Sequence, residues 1–388
     1  MAQRAVARID LGAVRDNCAH LKATLLDGAE LCAVVKADGY GHGADGCAEA
    51  ALAGGATRLA VATAAEAAQI GRRFQHVPLL TMGALTPADV DIALSSGAEV
   101  AVWREGFRAL LADRARAQGR PARVHVKHDS GMGRLGNPDP AETLALARAS
   151  DADPNLTLAG LWTHFATADD PDSGFFDEQL DRFTALVDAV RAEFPSVTVH
   201  AANSAAVFRE PRSHFDMARC GIAVYGLDPF QGNPAERGLI PALSLHSYVA
   251  DVKRFSAGAS AGYGQTWRAP AETWVGVLPL GYGDGVRRSL SNNAEVLVRG
   301  RRHPLVGTVS MDNVTIDLGP ETDVEPGDEA VLIGTQGEEA ILAEEVAARL
   351  DTINYEITCG ISARVPRSAA TYPGMSGISR SGADREGR

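Results

Sequence analysis

The chain has no block of clustered Lys and Arg, and its formal net charge is −12. Nucleic acid and anionic membrane are therefore excluded as expected partners, because both recruit concentrated positive charge. Cysteine is sparse as well: Cys18, Cys32, Cys47, Cys220 and Cys359 are odd in number and form no CxxC pair. That spacing supplies neither a disulfide framework nor a zinc site and suits reduced thiols. The N-terminal stretch MAQRAVARIDL lacks the apolar core of a signal peptide. No run approaches the roughly 18 apolar residues of a membrane helix. A cytoplasmic location is the expectation.

What is present is an ordinary apolar fraction, 45%, spread over 388 residues, more than one core usually serves, so two domains are expected. Asp10 can cap a helix whose apolar stripe runs through Leu11, Val14, Cys18, Leu21 and Leu25. Short β-like runs follow at 31–36, 58–63, 77–83, 99–103, 123–127, 158–164, 197–203 and 216–222. Alanine-rich helical segments separate them, among them 64–72, 87–96, 105–117 and 175–193. Eight such βα units predict an α/β fold, a TIM (β/α)8 barrel. Beyond Pro241 the pattern becomes short runs at 243–255, 273–280, 295–299, 304–308, 314–318 and 329–333, punctuated by Gly, Pro and Asn. These predict a mostly antiparallel β domain, with one helix at 342–350. The expected division is an N-terminal strand (1–10) joining the second domain, a barrel (11–241), the β domain (242–375) and a disordered tail (376–388).

One stretch, LCAVVKADGYGHG, concentrates the chemistry. Lys36 follows a strand apolar on both faces, where an ammonium group either snorkels to water, carries an ion pair or serves as an amine nucleophile. Gly39, Gly41 and Gly43 allow a tight backbone, and Tyr40 offers a hydroxyl one turn on. Other reactive residues also fall where barrel strands end: Lys127, His164, Asn203, Ser204 and Arg219. Barrel enzymes gather their sites at that face. A doubly wound sheet uses loops near one switch point instead. His125 and His128, three apart on a strand, point to opposite faces and make no metal site.

The VVKADGYGHG motif resembles the lysine motif of bacterial alanine racemases, which depend on pyridoxal 5′-phosphate, and further blocks of that family recur in order over nearly the whole chain. The resemblance implies an isomerase that interconverts L-alanine and D-alanine. It assigns Lys36 as the residue linked to the cofactor. Phosphate contacts go to Tyr40, Ser204, Gly221, Ile222 and Tyr355, and the group facing the ring nitrogen is Arg219. A permanent cation there disfavours protonation of the ring and so weakens it as an electron sink, which favours simple reprotonation over transamination. Asn203 and His164 are then expected to fix the arginine.

Inverting a stereocentre needs acid–base groups on both sides of a planar carbon. Lys36 serves one side, and the resemblance makes Tyr263, in AGYGQTW, the opposing base, contributed by a second subunit. A phenol with an ordinary pKa of about 10 needs cationic neighbours to act near neutrality. The resemblance also implies that Lys127 becomes carbamylated and orients Arg134, which binds the substrate carboxylate. His128 stands where the family commonly has an apolar residue. Tyr282, Met311 and Asp312 match the family's substrate-entry and carboxylate-binding positions. Their place in the β domain implies a head-to-tail homodimer with shared sites. Three alternatives differ in what they need: a non-catalytic cofactor carrier has no use for a second base, a decarboxylase on a related fold wants a cysteine-based second site and an acidic partner for the ring nitrogen, and a broader small-amino-acid (serine) racemase tends to carry an export signal, which MAQRAVARIDL does not resemble.

Overall fold

The computed structural model describes residues 4–370. The expected tail at 376–388 lies outside the described residues.

Asp10 does cap the first helix, Leu11–Thr24: its carboxylate accepts from the Ala13 N–H at 2.9 Å. Eight parallel strands then close a barrel: Glu30–Val34, Arg58–Val61, Leu79–Thr81, Glu99–Val102, Ala122–Lys127, Leu156–Trp162, Thr198–His200 and Met217–Cys220. The last pairs with the first, with Cys32 opposite Arg219. Near-continuous burial of Leu31, Cys32, Ala33 and Leu59, Ala60, Val61 reflects strands covered by helices on one side and by the barrel lining on the other. The α/β barrel expected from the alternation is thus the observed architecture.

Several strands end earlier than their apolar runs. The first stops at Val34, so Lys36 does not end a strand but opens a short turn, Lys36–Tyr40. Thr198–His200 stops three residues before Asn203, which is the N-cap of the helix Ser204–Arg209. Apolarity continues past each strand because the following residues stay buried at the barrel mouth, where burial no longer means pairing.

The second sheet has ten strands, mostly antiparallel. The N-terminal strand Val6–Asp10 sits inside it, antiparallel to Leu243–Tyr248 and parallel to Arg367–Ala370. The run expected as one strand over 243–255 is two, Leu243–Tyr248 and Asp251–Phe255. Between them the Val249 N–H bonds to Asp328 and the Ala250 N–H to Val277, so the chain passes from one set of partners to another. Besides Ala343–Arg349, a second helix, Asn354–Cys359, was not legible; six residues show no periodic stripe, and no side chain caps it. It brings the β domain of the same chain to the barrel mouth.

Because the Asp10 cap also starts the element that leads into the barrel, Asp10→Ala should lower unfolding stability by about 1 kcal/mol. Urea titration should show an earlier midpoint with an unchanged m-value.

Candidate active site

The turn that carries Lys36 is left-handed. Ala37, Asp38, Gly39 and Tyr40 have φ of 51°, 52°, 61° and 52°. Only one of the four is glycine, and each of the others costs roughly 1–2 kcal/mol in that region. The surroundings hold it there. Glu66, already closing a capping box at its own helix, accepts from the Ala37 N–H at 2.7 Å, and Asp38 accepts from the Ala44 N–H at 2.8 Å. Arg367, from the β domain, donates through Nε to the Gly41 carbonyl at 3.0 Å. A Cβ at Gly41, where φ is +85°, would stand 2.3 Å from the Thr358 carbonyl of the helix Asn354–Cys359. The left-handed turn and that helix are therefore in backbone contact. The glycines do permit the tight turn, yet most of the strain falls on residues other than glycine, which no pattern in the sequence reveals.

At one side of the mouth Tyr40, Ser204, Gly221 and Tyr355 meet. The rings of Tyr40 and Tyr355 lie 6.0 Å apart. A Cβ at Gly221 would stand 2.2 Å from the Tyr40 hydroxyl. The Ser204 hydroxyl accepts from the Gly221 N–H at 3.0 Å and from the Ala223 N–H at 3.3 Å. Hydroxyls and backbone N–H groups in a glycine-floored concavity form an anion cradle. Asn203 lies beside it as a helix cap, its side chain accepting from the Ala206 N–H at 2.9 Å. Asn203 has no bond to Arg219, contrary to expectation; its side chain is turned to the helix start instead.

Arg219 is instead held by other groups. It is 3% exposed. Its Nη2 donates to the carbonyls of Thr163 at 2.9 Å and Ala201 at 3.0 Å and to His164 Nδ1 at 3.3 Å, while Nη1 donates to His200 Nδ1 at 2.8 Å. Its Nε–H has no partner among the described residues. His164 was anticipated; His200 was missed, although it closes the strand that precedes the Asn203–Ser204 pair. Trp162 lies under this group, with the Arg219 guanidinium 4.8 Å and the Lys127 amine 4.2 Å from its ring.

Lys36, Lys127, Arg134 and Arg219 form one electropositive cluster. Burial, then Arg134, lowers the Lys36 pKa against the pull of Glu66. Burial and the charges of Arg219 and Arg134 bring the Lys127 pKa down to about 7. His164 is pushed well below its ordinary value by burial and by all four cations in turn. Arg134 stands on the exposed loop after the strand Ala122–Lys127 and has no hydrogen-bond partner among the described residues. Two amines with depressed pKa, a donor left over on Arg219 and an adjoining anion cradle fit an anionic carbonyl cofactor bonded to a lysine. His125 turns into the barrel toward Glu99 and His200, whereas His128 bonds Thr143 at 3.1 Å outside it.

Tyr263, Tyr282, Met311 and Asp312 gather elsewhere, on one face of the β domain. Tyr263 is 73% exposed, and Tyr282 and Met311 are exposed too. Thr308 donates to the Tyr263 carbonyl at 2.7 Å, the Tyr282 N–H to Ser310 at 2.9 Å and the Gly283 N–H to Met311 at 3.0 Å. Asp312 pairs with Arg364 at 2.6 Å. No hydrogen bond, ring contact or cation–π contact among the described residues joins these four to Lys36, Arg134 or Arg219.

Comparison with known proteins follows the same division into domains. Residues 9–229 match the family model of the alanine racemase N-terminal domain, and residues 242–369 that of the C-terminal domain. An alanine racemase of Symbiobacterium thermophilum is 43% identical over 362 residues, 93% of this chain and 96% of that protein. One from Geobacillus stearothermophilus is 41% identical over 370 residues, 93% and 92% of the two chains. The crystal structure of alanine racemase from D-cycloserine-producing Streptomyces lavendulae superimposes with a TM-score of 0.90 at 37% identity, covering 96% of this chain and 98% of that one.

The Lys127 pKa makes a signed prediction for the ligand-free protein in degassed buffer. A lysine whose folded pKa is about 7 binds fewer protons than the unfolded chain between there and its ordinary value near 10.4. Stability should therefore rise as pH climbs from about 7 to about 10, and Lys127→Met should flatten that rise in urea titrations.

Proposed function

The chain belongs to the alanine racemase family, and from that premise we propose how its own residues share the work of interconverting L-alanine and D-alanine with pyridoxal 5′-phosphate. When bound, that cofactor supplies an electron-withdrawing ring that acidifies the hydrogen on the substrate's α-carbon. Lys36 carries it as an amine nucleophile. Tyr40, Ser204, Tyr355 and the backbone at Gly221 and Ile222 would hold its phosphate, and Arg219 would face its ring nitrogen. Arg219 is fixed by His164 and two carbonyls, so its charge cannot swing away.

The observation that carries the proposal is the place of the Lys36 amine, 5.8 Å from the ring of Tyr40 and so beside the anion cradle that Tyr40 forms with Ser204, Gly221 and Tyr355. Burial and neighbouring cations keep a share of that amine neutral, so it can attack a carbonyl and later accept a proton. Lys36 moves the proton at its Nζ on one side of the α-carbon; the Tyr263 hydroxyl does so on the other. Arg134 binds the substrate carboxylate. Lys127, with a pKa of about 7, has enough neutral amine to take up carbon dioxide; the resulting carbamate would be an anion able to orient Arg134.

Tyr263 reaches such a site only from a second copy of the chain. A face bearing exposed Tyr263, Tyr282 and Met311 beside Asp312 supports a homodimer in which each β domain completes the other barrel's mouth. The reading extends to the cytoplasm: all five cysteines are free thiols, Cys359 exposed, and no helix among the described residues is long and apolar enough to cross a membrane.

Lys36→Ala should abolish racemisation, and Tyr263→Phe should keep the cofactor while losing on the order of 10²- to 10⁴-fold in rate. Unfolding and refolding the two inactive variants together should restore about a quarter of wild-type activity, because half the dimers then carry one intact site. Chiral analysis of the alanine formed checks all three outcomes; no recovery in the mixture would contradict shared sites.

A further inference from the structure

The barrel interior holds polar residues where such barrels ordinarily stack Val, Ile and Leu. Glu99 opens the strand Glu99–Val102 and therefore lies at the barrel floor, the end opposite the mouth. It is joined to Arg219 by an unbroken chain of hydrogen bonds. Arg219 Nη1 meets His200 Nδ1 at 2.8 Å, His200 Nε2 meets His125 Nδ1 at 2.8 Å, and His125 Nε2 meets Glu99 Oε2 at 2.6 Å. Arg58 and Arg123 flank Glu99 at 3.0 Å and 2.6 Å. Trp162 stacks on His200 with ring centroids 5.6 Å apart.

We propose that Glu99, His125 and His200 are positioning residues for Arg219, forming a one-way hydrogen-bond relay that fixes its guanidinium in one orientation from the far end of the barrel. The proposal rests on the reading above that Arg219 meets the cofactor ring.

The direction of the relay follows from the chemistry of its ends. A guanidinium only donates, so His200 Nδ1 is bare and its proton sits on Nε2. That proton is donated to His125, whose Nδ1 is bare in turn and whose Nε2–H is donated to Glu99. An ionised carboxylate only accepts, so both ends agree on a single arrangement. Glu99 stays ionised: although burial raises its pKa, hydrogen bonds from His125 and Arg123 and the charge of Arg58 hold it down to about 2. Both imidazoles are kept neutral, His200 by burial and Arg219, His125 by burial against the pull of Glu99. A proton added to either would set donor against donor. The relay thus links a buried cation that has no carboxylate in contact to an anion three hydrogen bonds away, and aligns every intervening dipole between them. An all-apolar lining would be cheaper to bury, so the cost points to a task.

The test uses the holoenzyme and four variants, with histidine-labelled wild type alongside. Long-range ¹H–¹⁵N correlation on the labelled wild type should find His125 and His200 both protonated on Nε2 alone. His200→Phe and Glu99→Gln should each lower kcat roughly tenfold with KM little changed. Both should move the absorption band of the bound cofactor in the direction that Arg219→Gln moves it. His200→Asn, which returns an acceptor at the Nδ1 position, should recover most of the band and the rate. An Nδ1–H or doubly protonated imidazole at either histidine would overturn the relay, as would a band moved by Arg219→Gln but by neither His200→Phe nor Glu99→Gln. A band unmoved by Arg219→Gln would instead overturn the placement of Arg219 beneath the proposal, and the proposal with it.

Discussion

A guanidinium buried inside a barrel with no carboxylate against it is the constraint around which the mouth is built. Arg219 is held by four acceptors, two backbone carbonyls and two imidazoles, through its two terminal nitrogens, and it lies over the face of Trp162. Burial alone brings its pKa down to about 10, so it remains a cation at any ordinary pH. That fixed charge does two things. It adds to burial, the larger cause, and to Arg134 in lowering the basicity of Lys36 and Lys127. With burial, the larger cause, it also keeps His164 neutral, so the imidazole accepts from the arginine rather than repelling it.

The second constraint is the left-handed turn after the first strand. Three of its residues have side chains that resist that backbone, and the strain persists because Glu66 holds the Ala37 N–H, the Asp38 carboxylate ties the turn to the Ala44 N–H beyond it, and Arg367 holds the Gly41 carbonyl. Arg367 belongs to the β domain, and so does the helix pressed against Gly41. The aim of Lys36 therefore depends on the contact between the two domains of one chain. The face with Tyr263, Tyr282 and Met311 is exposed and lies outside that contact. A barrel alone would keep the amine and lose the support that Arg367 and the helix Asn354–Cys359 give its turn.

The architecture was largely legible in the sequence because strand burial on both faces leaves unbroken apolar runs, and each of the eight barrel strands overlaps one of those runs. Boundaries were overextended wherever the mouth stayed buried beyond the last paired residue, as at Val35 and at Ala201 and Ala202. Lys36, Tyr40, Ser204 and Arg219 stood out because reactive side chains at strand ends are conspicuous among apolar neighbours. His200 did not, since a histidine within VTVHAANS looks like any buried imidazole; only the fold shows it between Arg219 and His125. Asn203 misled for the opposite reason: a residue next to the site by sequence was spent on capping a helix. Glu99, at the floor, carried no signal at all that tied it to the mouth.

The chain has only four lysines, Lys22, Lys36, Lys127 and Lys253, which makes one experiment unusually discriminating. Loading the protein with pyridoxal 5′-phosphate, reducing it with borohydride and mapping its peptides by mass spectrometry tests where the cofactor is held. The account predicts a single pyridoxyl label, on Lys36. A label spread over Lys22 and Lys253, or confined to Lys127, would contradict it.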